Sequence, residues 1–190
     1  MIIRNLKNKM MKKKKTDFGA RFWSGTRKHT AVGLLEAFFQ FNDLAEVKET
    51  LSTIVQCSVQ KNARIRADPA EVFHLYQSLR SLVRAARMIG KKAKKGRFKA
   101  ASETHVPKIM TGSLPAEEYR DPVQVFRSAF KVCSLEQYDE FLSAVVYFSL
   151  GKSGYEEERR IIIPYIRLTK MLDAAWLIVE RASTEKVIGK

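Results

Sequence analysis

The 190-residue sequence predicts an all-α protein, with tandem duplicated three-helix units forming one six-helix bundle with an approximate internal two-fold. Three observations carry that expectation. Apolar residues recur at three- and four-residue steps through most of the chain. The periodic segments open on recognisable helix-start signals. The second half also repeats the first at a nearly constant offset.

Residues 1–29 form a basic arm. Lys7, Lys9, Lys12, Lys13, Lys14 and Lys15 precede Phe18, Phe22 and Trp23, which alternate with Arg21, Arg27 and Lys28. Like charges and few apolar groups predict a largely mobile segment. Its aromatic rings either dock on the body, the plainer reading, or stack on single-stranded bases. Met11 offers an alternative start that keeps the lysine run.

Residues 30–95 form the first unit. Thr30 caps a helix through Phe41, and Asn42-Asp43 breaks it. Asp43 with Glu46 forms a capping-box pattern opening a helix to about Gln60, and a polar loop covers residues 61–67. Asp68-Pro69 then starts a long helix, with Asp68 accepting orphan N–H groups and Pro69 where its missing N–H costs nothing. This helix is expected to run to Lys99. Val72, Phe73, Tyr76, Leu79, Leu82, Val83, Ala86 and Ile89 are its core stripe, while Arg80, Arg84, Arg87, Lys91 and Lys94 or Lys95 are a basic ridge on another face. The ridge continues into Lys92, Arg97 and Lys99.

Residues 96–119, with Gly96, Pro107, Gly112, Ser113 and Pro115, read as a basic linker. Residues 120–182 form the second unit, and 183–190 a tail. At an offset of 91, Val32, Phe39, Leu44, Glu49, Leu51, Ser52, Val55 and Ser58 recur as Val123, Phe130, Leu135, Glu140, Leu142, Ser143, Val146 and Ser149. At an offset of 89, Tyr76, Leu79, Ala85, Ala86 and Ile89 recur as Tyr165, Leu168, Ala174, Ala175 and Ile178. The punctuation repeats as well: Thr30 aligns with Asp121, and Asp43…Glu46 with Ser134…Gln137. One three-helix unit leaves its core open on one side, and a second copy closes it. Pro164 is expected to kink or restart the last helix, and Glu156-Glu157-Glu158 to sit at its start, where the dipole favours acids. Where the copies differ, Arg80, Arg84 and Arg87 align with Thr169, Asp173 and Trp176. The ridge thus belongs to the first copy alone, and Trp176 reads as packing ahead of a self-association surface.

Composition bounds the function. The net charge is +15, and its location says more than its size. Residues 1–30 hold ten Lys/Arg against one acid, and residues 88–108 hold seven against one. The remainder is balanced at 18 and 18. Concentrated cationic segments on a neutral body point to a polyanion, nucleic acid ahead of membrane headgroups. No stretch reaches the ~18 apolar residues of a membrane span, and no signal peptide is apparent. Cys57 and Cys133 lack ligand or CxxC spacing and read as reduced thiols, so a cytoplasmic location is expected.

Little points to catalysis. Gly151-Lys152-Ser153 resembles the end of a phosphate-binding loop, but Val146 stands where that pattern needs glycine, so Gly151 reads as a helix end. His29, His74 and His105 are not at metal-ligand spacing, and neither cofactor nor metal is expected. Glu118-Tyr119-Arg120-Asp121-Pro122-Val123-Gln124-Val125-Phe126, followed by Phe130 and Ser134-Leu135-Glu136-Gln137, resembles an uncharacterised family of small bacterial helical proteins. The likeness covers about residues 115–180 and, less well, 28–89. It departs in having the single Phe130 where the family often has two aromatics, and it implies a bacterial cytoplasmic origin and no established activity.

The expected function is non-enzymatic nucleic-acid binding of low sequence specificity. Arg80, Arg84, Arg87, Lys91, Lys92, Lys94, Lys95, Arg97 and Lys99 would contact phosphates, with Lys12, Lys13, Lys14 and Lys15 as a second clamp. The alternative is a helical scaffold or homo-oligomerisation module binding an acidic protein partner.

Overall fold

Four of the six long helices begin where a short polar side chain takes up free backbone N–H groups. In the computed structural model, which describes residues 15–93, 98, 113–157 and 159–188, Thr30 Oγ1 accepts from Gly33 N (3.0 Å) to open α2 (Ala31–Phe41). Asp43 accepts from Ala45 N and Glu46 N to open α3 (Leu44–Val59). Asp68 accepts from Ala70 N to open α4 (Pro69–Lys92), with proline at the first helical position. In the second half, α6 spans Val123–Val132, and Ser134 and Gln137 exchange both bonds of a capping box at the start of α7 (Leu135–Leu150). The last helix, α8, is assigned over Arg159–Ile188, with side chains described through Ser183.

The chain is thus mostly helical, and the remaining elements are too short for periodicity to signal. A two-residue antiparallel ribbon pairs β1 (Thr16–Asp17) with β2 (Lys28–His29) around the single turn α1 (Arg21–Ser24). Another short helix, α5 (Ala116–Arg120), lies at the end of the stretch expected to be linker.

The core is organised around α4, which packs against α1, α2, α6, α7 and α8. Being covered from several sides, α4 buries Leu75, Ser78, Ser81 and Ala85 beside the expected Val72, Leu79, Leu82, Val83, Ala86 and Ile89. Ser78 and Ser81 satisfy their hydroxyls on Leu75 O and Gln77 O, so small polar residues sit in the crossing without an orphaned donor. Gly90 marks a close approach of α4 to α6: a Cβ there would lie 3.3 Å from Phe126 Cβ. The α3·α7 pairing is the most extensive, and α2·α4, α4·α6 and α4·α7 are matched by α6·α8, α2·α8 and α3·α8.

Where α3 and α7 end, their exits clasp each other. Ser58 O accepts from Tyr155 N (2.7 Å), and Ser149 O accepts from Ile65 N (3.0 Å). Both serines are fully buried and donate their hydroxyls to the carbonyls three residues earlier, Val55 and Val146. Gly154 fits against this clasp because a Cβ would meet Val59 O at 3.0 Å.

Four expectations need correcting. The helix expected to reach Lys99 ends at Lys92: Ala93 is extended, and Arg127 donates to Gly90 O (3.0 Å) and Ala93 O (2.9 Å), capping the terminal carbonyls. The chain then returns Phe98 to the core. Phe73, expected in the core, is 44% exposed, and its ring meets the rings of Phe22 and Tyr76. Of the arm, expected to be largely mobile, residues 15–29 carry structure, in line with the plainer, docking reading of its aromatics: Phe18 and Trp23 are buried, and Trp23 Nε1 donates to Ser81 Oγ (3.1 Å). Finally, α8 begins at Arg159, so Glu156 and Glu157 precede it, and it does not restart at Pro164. That proline removes one bond in the second turn, where the freed carbonyl belongs to exposed Arg160 and can face water.

Candidate nucleic-acid interface

Steps of three and four residues put Phe73, Tyr76, Arg80, Arg84, Arg87 and Lys91 on one face of α4. The face has three parts. At its N-terminal end, exposed Phe22 of α1 meets Phe73 edge-on with ring centroids 5.6 Å apart, and Phe73 lies 5.9 Å from Tyr76. In its middle, Arg80 sits over the Tyr76 ring at 5.3 Å and donates through Nε and Nη2 to Asp139 of α7 (2.9 and 3.3 Å). Arg84 donates to the same carboxylate (3.3 Å) and to Phe18 O (3.4 Å).

Arg80 and Arg84 are therefore tied down inside the fold. Their side chains are 25% and 29% exposed, and Asp139 is 29% exposed. Partial burial works against the Asp139 charge, but the hydrogen bonds and proximity of Arg80, then Arg84, outweigh it and hold this carboxyl below its ordinary pKa. The Asp139 hydrogen bond correspondingly raises the Arg80 pKa against the effect of burial.

The C-terminal part is different. Arg87 is half-buried with no side-chain partner among the described residues, and Lys91 and Lys92 are exposed. Arg127, which periodicity alone does not single out, adds a fixed cation at this helix end; its alignment with Glu36 was the available signal. Lys15 is exposed. Lys12, Lys13, Lys14, Lys94, Lys95, Arg97 and Lys99 lie outside the described residues. Phe98, between them, is held by Arg181, whose Nη1 donates to its carbonyl (2.6 Å).

Phe18 lies at Arg84, Trp23 at Ser81 and Phe22 at Phe73, so the docked segment runs antiparallel to α4. Lys15, three residues before Phe18, enters at the Arg84 end. A turn makes this docking possible: Gly25 ends α1 at φ 67°, the left-handed region that favours glycine.

Elsewhere, no group of three or more His, Cys, Asp or Glu among the described residues could hold a metal ion. Burial pushes the Cys133 thiol up, and burial together with the adjacent Cys133 pushes the Tyr138 phenol up, so neither is an activated nucleophile at neutral pH. His29 Nε2 lies 3.0 Å from Ser24 Oγ within the arm ribbon, a local turn contact. Trp176 packs edge-on against Phe39 at 5.0 Å. Among the described residues no helix is long and apolar enough to cross a membrane. No family model matches the chain, and comparison with curated proteins and with solved structures found no significant match.

Proposed function

We propose that the protein binds nucleic acid without catalysing a reaction on it, through a cationic surface at the C-terminal end of α4. Arg87, Lys91 and Lys92 provide its folded part, extended by the lysine-rich tracts Lys94–Lys99 and Lys12–Lys15. The observation that carries the reading is the antiparallel docking of residues 18–24 on α4, with Phe18 at Arg84. Lys15 stands three residues before Phe18, on the side of the docked segment nearer the end of α4 that carries Arg87, Lys91 and Lys92. Arg80 and Arg84 act here mainly by holding α4, α7 and the arm together, because their charge is spent largely on Asp139.

We also propose that the six long helices are two copies of one three-helix unit. Supporting this are the equal 16-residue lengths of α3 and α7, the paired helix contacts around α4 and α8, and the reciprocal clasp through Ser58 and Ser149. The duplication explains why a basic ridge stands on one long helix only: the other copy is free to carry different surface chemistry.

Phosphate contacts on duplex DNA lower log affinity by about 0.9 per contact per log unit of salt. Fluorescence anisotropy of labelled duplex DNA over a salt series tests the reading, with Arg87→Ser/Lys91→Ser/Lys92→Ser alongside. Binding that weakens steeply with salt, and a slope shallower by about 2–3 in the variant, is the expected result. Equal slopes would move the contact surface off α4, and no binding at moderate salt ends the nucleic-acid reading. A second reading, a scaffold or oligomerisation module, draws on Ile162, Ile163 and Ile166 of α8, each 50% exposed. It is favoured if the protein purifies free of 260 nm absorbance and its mass in solution rises with concentration.

A further inference from the structure

Two of the three arm aromatics, Phe18 and Trp23, are 3% and 5% exposed, and they account for the docking of the arm. Phe22 does not: it is 66% exposed and touches Phe73, itself 44% exposed. A helix surface that needed only to anchor the arm would gain nothing from keeping two phenyl rings in water, each costing about 25 cal/mol for every Å² of apolar area left uncovered. The pair is also not isolated. It begins the single face of α4 that continues through Tyr76 and Arg80 to Arg87 and Lys91, about 27 Å at 1.5 Å per residue. Exposed Arg21 stands beside Phe22 in the sequence.

We propose that this face is a binding track for single-stranded nucleic acid, with bases stacking on Phe22 and Phe73 and phosphates meeting Arg87, Lys91 and Lys92. The inference rests on the nucleic-acid reading above and adds the strand state of the ligand. Aromatic rings and cations along one helix face suit a ligand that offers flat apolar faces and regularly spaced anions together. An unpaired strand does so, whereas a duplex keeps its bases stacked inside and offers only phosphates to such a surface. Arg80, clamped over Tyr76 by Asp139, divides the stacking end from the cationic end and fixes the separation between them. Recognition by stacking is sequence-tolerant because every base has a flat face. A strand of about a dozen nucleotides falls within the site sizes that such tracks serve.

The test compares labelled oligothymidylate, oligouridylate and a duplex of equal length by anisotropy at one salt concentration, using the full chain. Phe22→Leu/Phe73→Leu keeps the apolar packing and removes the stacking faces. Stacking contributions of ~1–3 kcal/mol per base correspond to roughly tenfold or more. The double variant should therefore bind both single strands at least about tenfold more weakly and the duplex within about twofold of the parent, and Phe22→Tyr/Phe73→Tyr should restore single-strand binding. Unequal losses on the two single strands identify whether DNA or RNA is preferred. Equal loss on single strand and duplex, or no loss on either, overturns the track while leaving duplex binding as evidence for the broader reading. Failure of the parent to bind any of the three overturns both. Should the leucine variant lose its cooperative melt, Phe73→Trp supplies an independent readout. Its emission should be quenched by the oligonucleotide and not by the duplex, and unchanged emission overturns the proposal.

Discussion

Two ion-pair clusters at aligned positions have opposite polarity. In one, Arg84 of α4 reaches Asp139 of α7; in the other, Asp173 of α8 takes Lys48 Nζ of α3 at 2.8 and 3.1 Å. Asp139 follows Lys48 by 91 positions and Asp173 follows Arg84 by 89, the same offsets that align the core. Each cluster joins the long helix of one half to the second helix of the other, and the cation and anion have changed sides. Swapping both charges keeps the attraction, whereas changing one alone leaves a repulsive pair facing a half-buried interface. On the proposed duplication, the difference between Arg84 and Asp173 keeps a contact between helices, and charge at such a position is weak evidence of a ligand. Arg87 is the contrasting case: it aligns with Trp176, packed on Phe39, and it makes no salt bridge among the described residues.

The clusters also differ in depth. Asp173 is 6% exposed, and it also accepts from Ser113 N (2.9 Å) and Ser113 Oγ (2.6 Å), so it anchors the return of the linker. Asp173→Ala should be the most damaging change: Lys48 and Ser113 lose their shared acceptor in a covered site, at a cost of about 3 kcal/mol. A shift of chemical-denaturation midpoint measures it. A loss below about 1 kcal/mol would mean that Lys48 simply turns to solvent.

Asp139→Asn should cost less, about 1–2 kcal/mol, because its partners are more exposed and keep neutral acceptors nearby. This cost should depend on pH. Folding lowers the Asp139 pKa, so its contribution is present above the ordinary carboxylate value of 3.8 and fades as pH falls below it. Parent and Asp139→Asn should therefore differ in stability at pH 7 and converge in acid. A gap that stays constant or widens once pH is well below the lowered, folded-state pKa would assign the stabilisation to shape rather than charge.

Reversing the cluster sharpens the comparison further. Arg84→Asp alone sets two carboxylates against each other with only Arg80 between them, whereas Arg84→Asp/Asp139→Lys recreates the polarity of the Lys48–Asp173 pair. The double variant should recover more than half of the stability lost by the single one, which a double-mutant cycle reads directly. No recovery would separate the two clusters and weaken the case for duplication.

These clusters also mark where sequence reading stops. Helix starts were legible because a cap acts within three residues: Thr30, Asp43, Asp68 and Ser134 each bond the turn that follows. Ends were less so, since α4 stops where Arg127, 37 positions from Gly90, caps it from another helix. The ridge was legible as a face but not as a site. Asp139 lies 59 positions from Arg80, and no local pattern shows that two of the arginines are already engaged. The copy alignment did hold the clue, because Lys48 and Asp139 differ in sign at the same offset as Arg84 and Asp173. Phe73 was misplaced for a related reason: a three-and-four stripe cannot say which of its edges a neighbouring helix will cover, and here the aromatic edge remains beside Phe22.

The smallest effect on stability should come from the part of the ridge that has no counterpart in either cluster. Lys91 and Lys92 are exposed in the last turn of α4, where their charge favours the helix dipole by ~0.3–1 kcal/mol each at low salt, and Arg127 already caps the same carbonyls. Lys91→Ser/Lys92→Ser should therefore lower stability by no more than about 1 kcal/mol, with the deficit shrinking as salt rises. If the α4 terminus contacts phosphates, the same variant should lose affinity for nucleic acid far out of proportion to that deficit. Asp139→Asn should do the reverse, weakening the fold while freeing Arg80 and Arg84 from their shared acid and leaving binding intact or stronger. Measuring melts and anisotropy on both variants thus distinguishes arginines that hold helices together from lysines that face a ligand. Parallel losses of stability and binding in the two variants would erase that distinction.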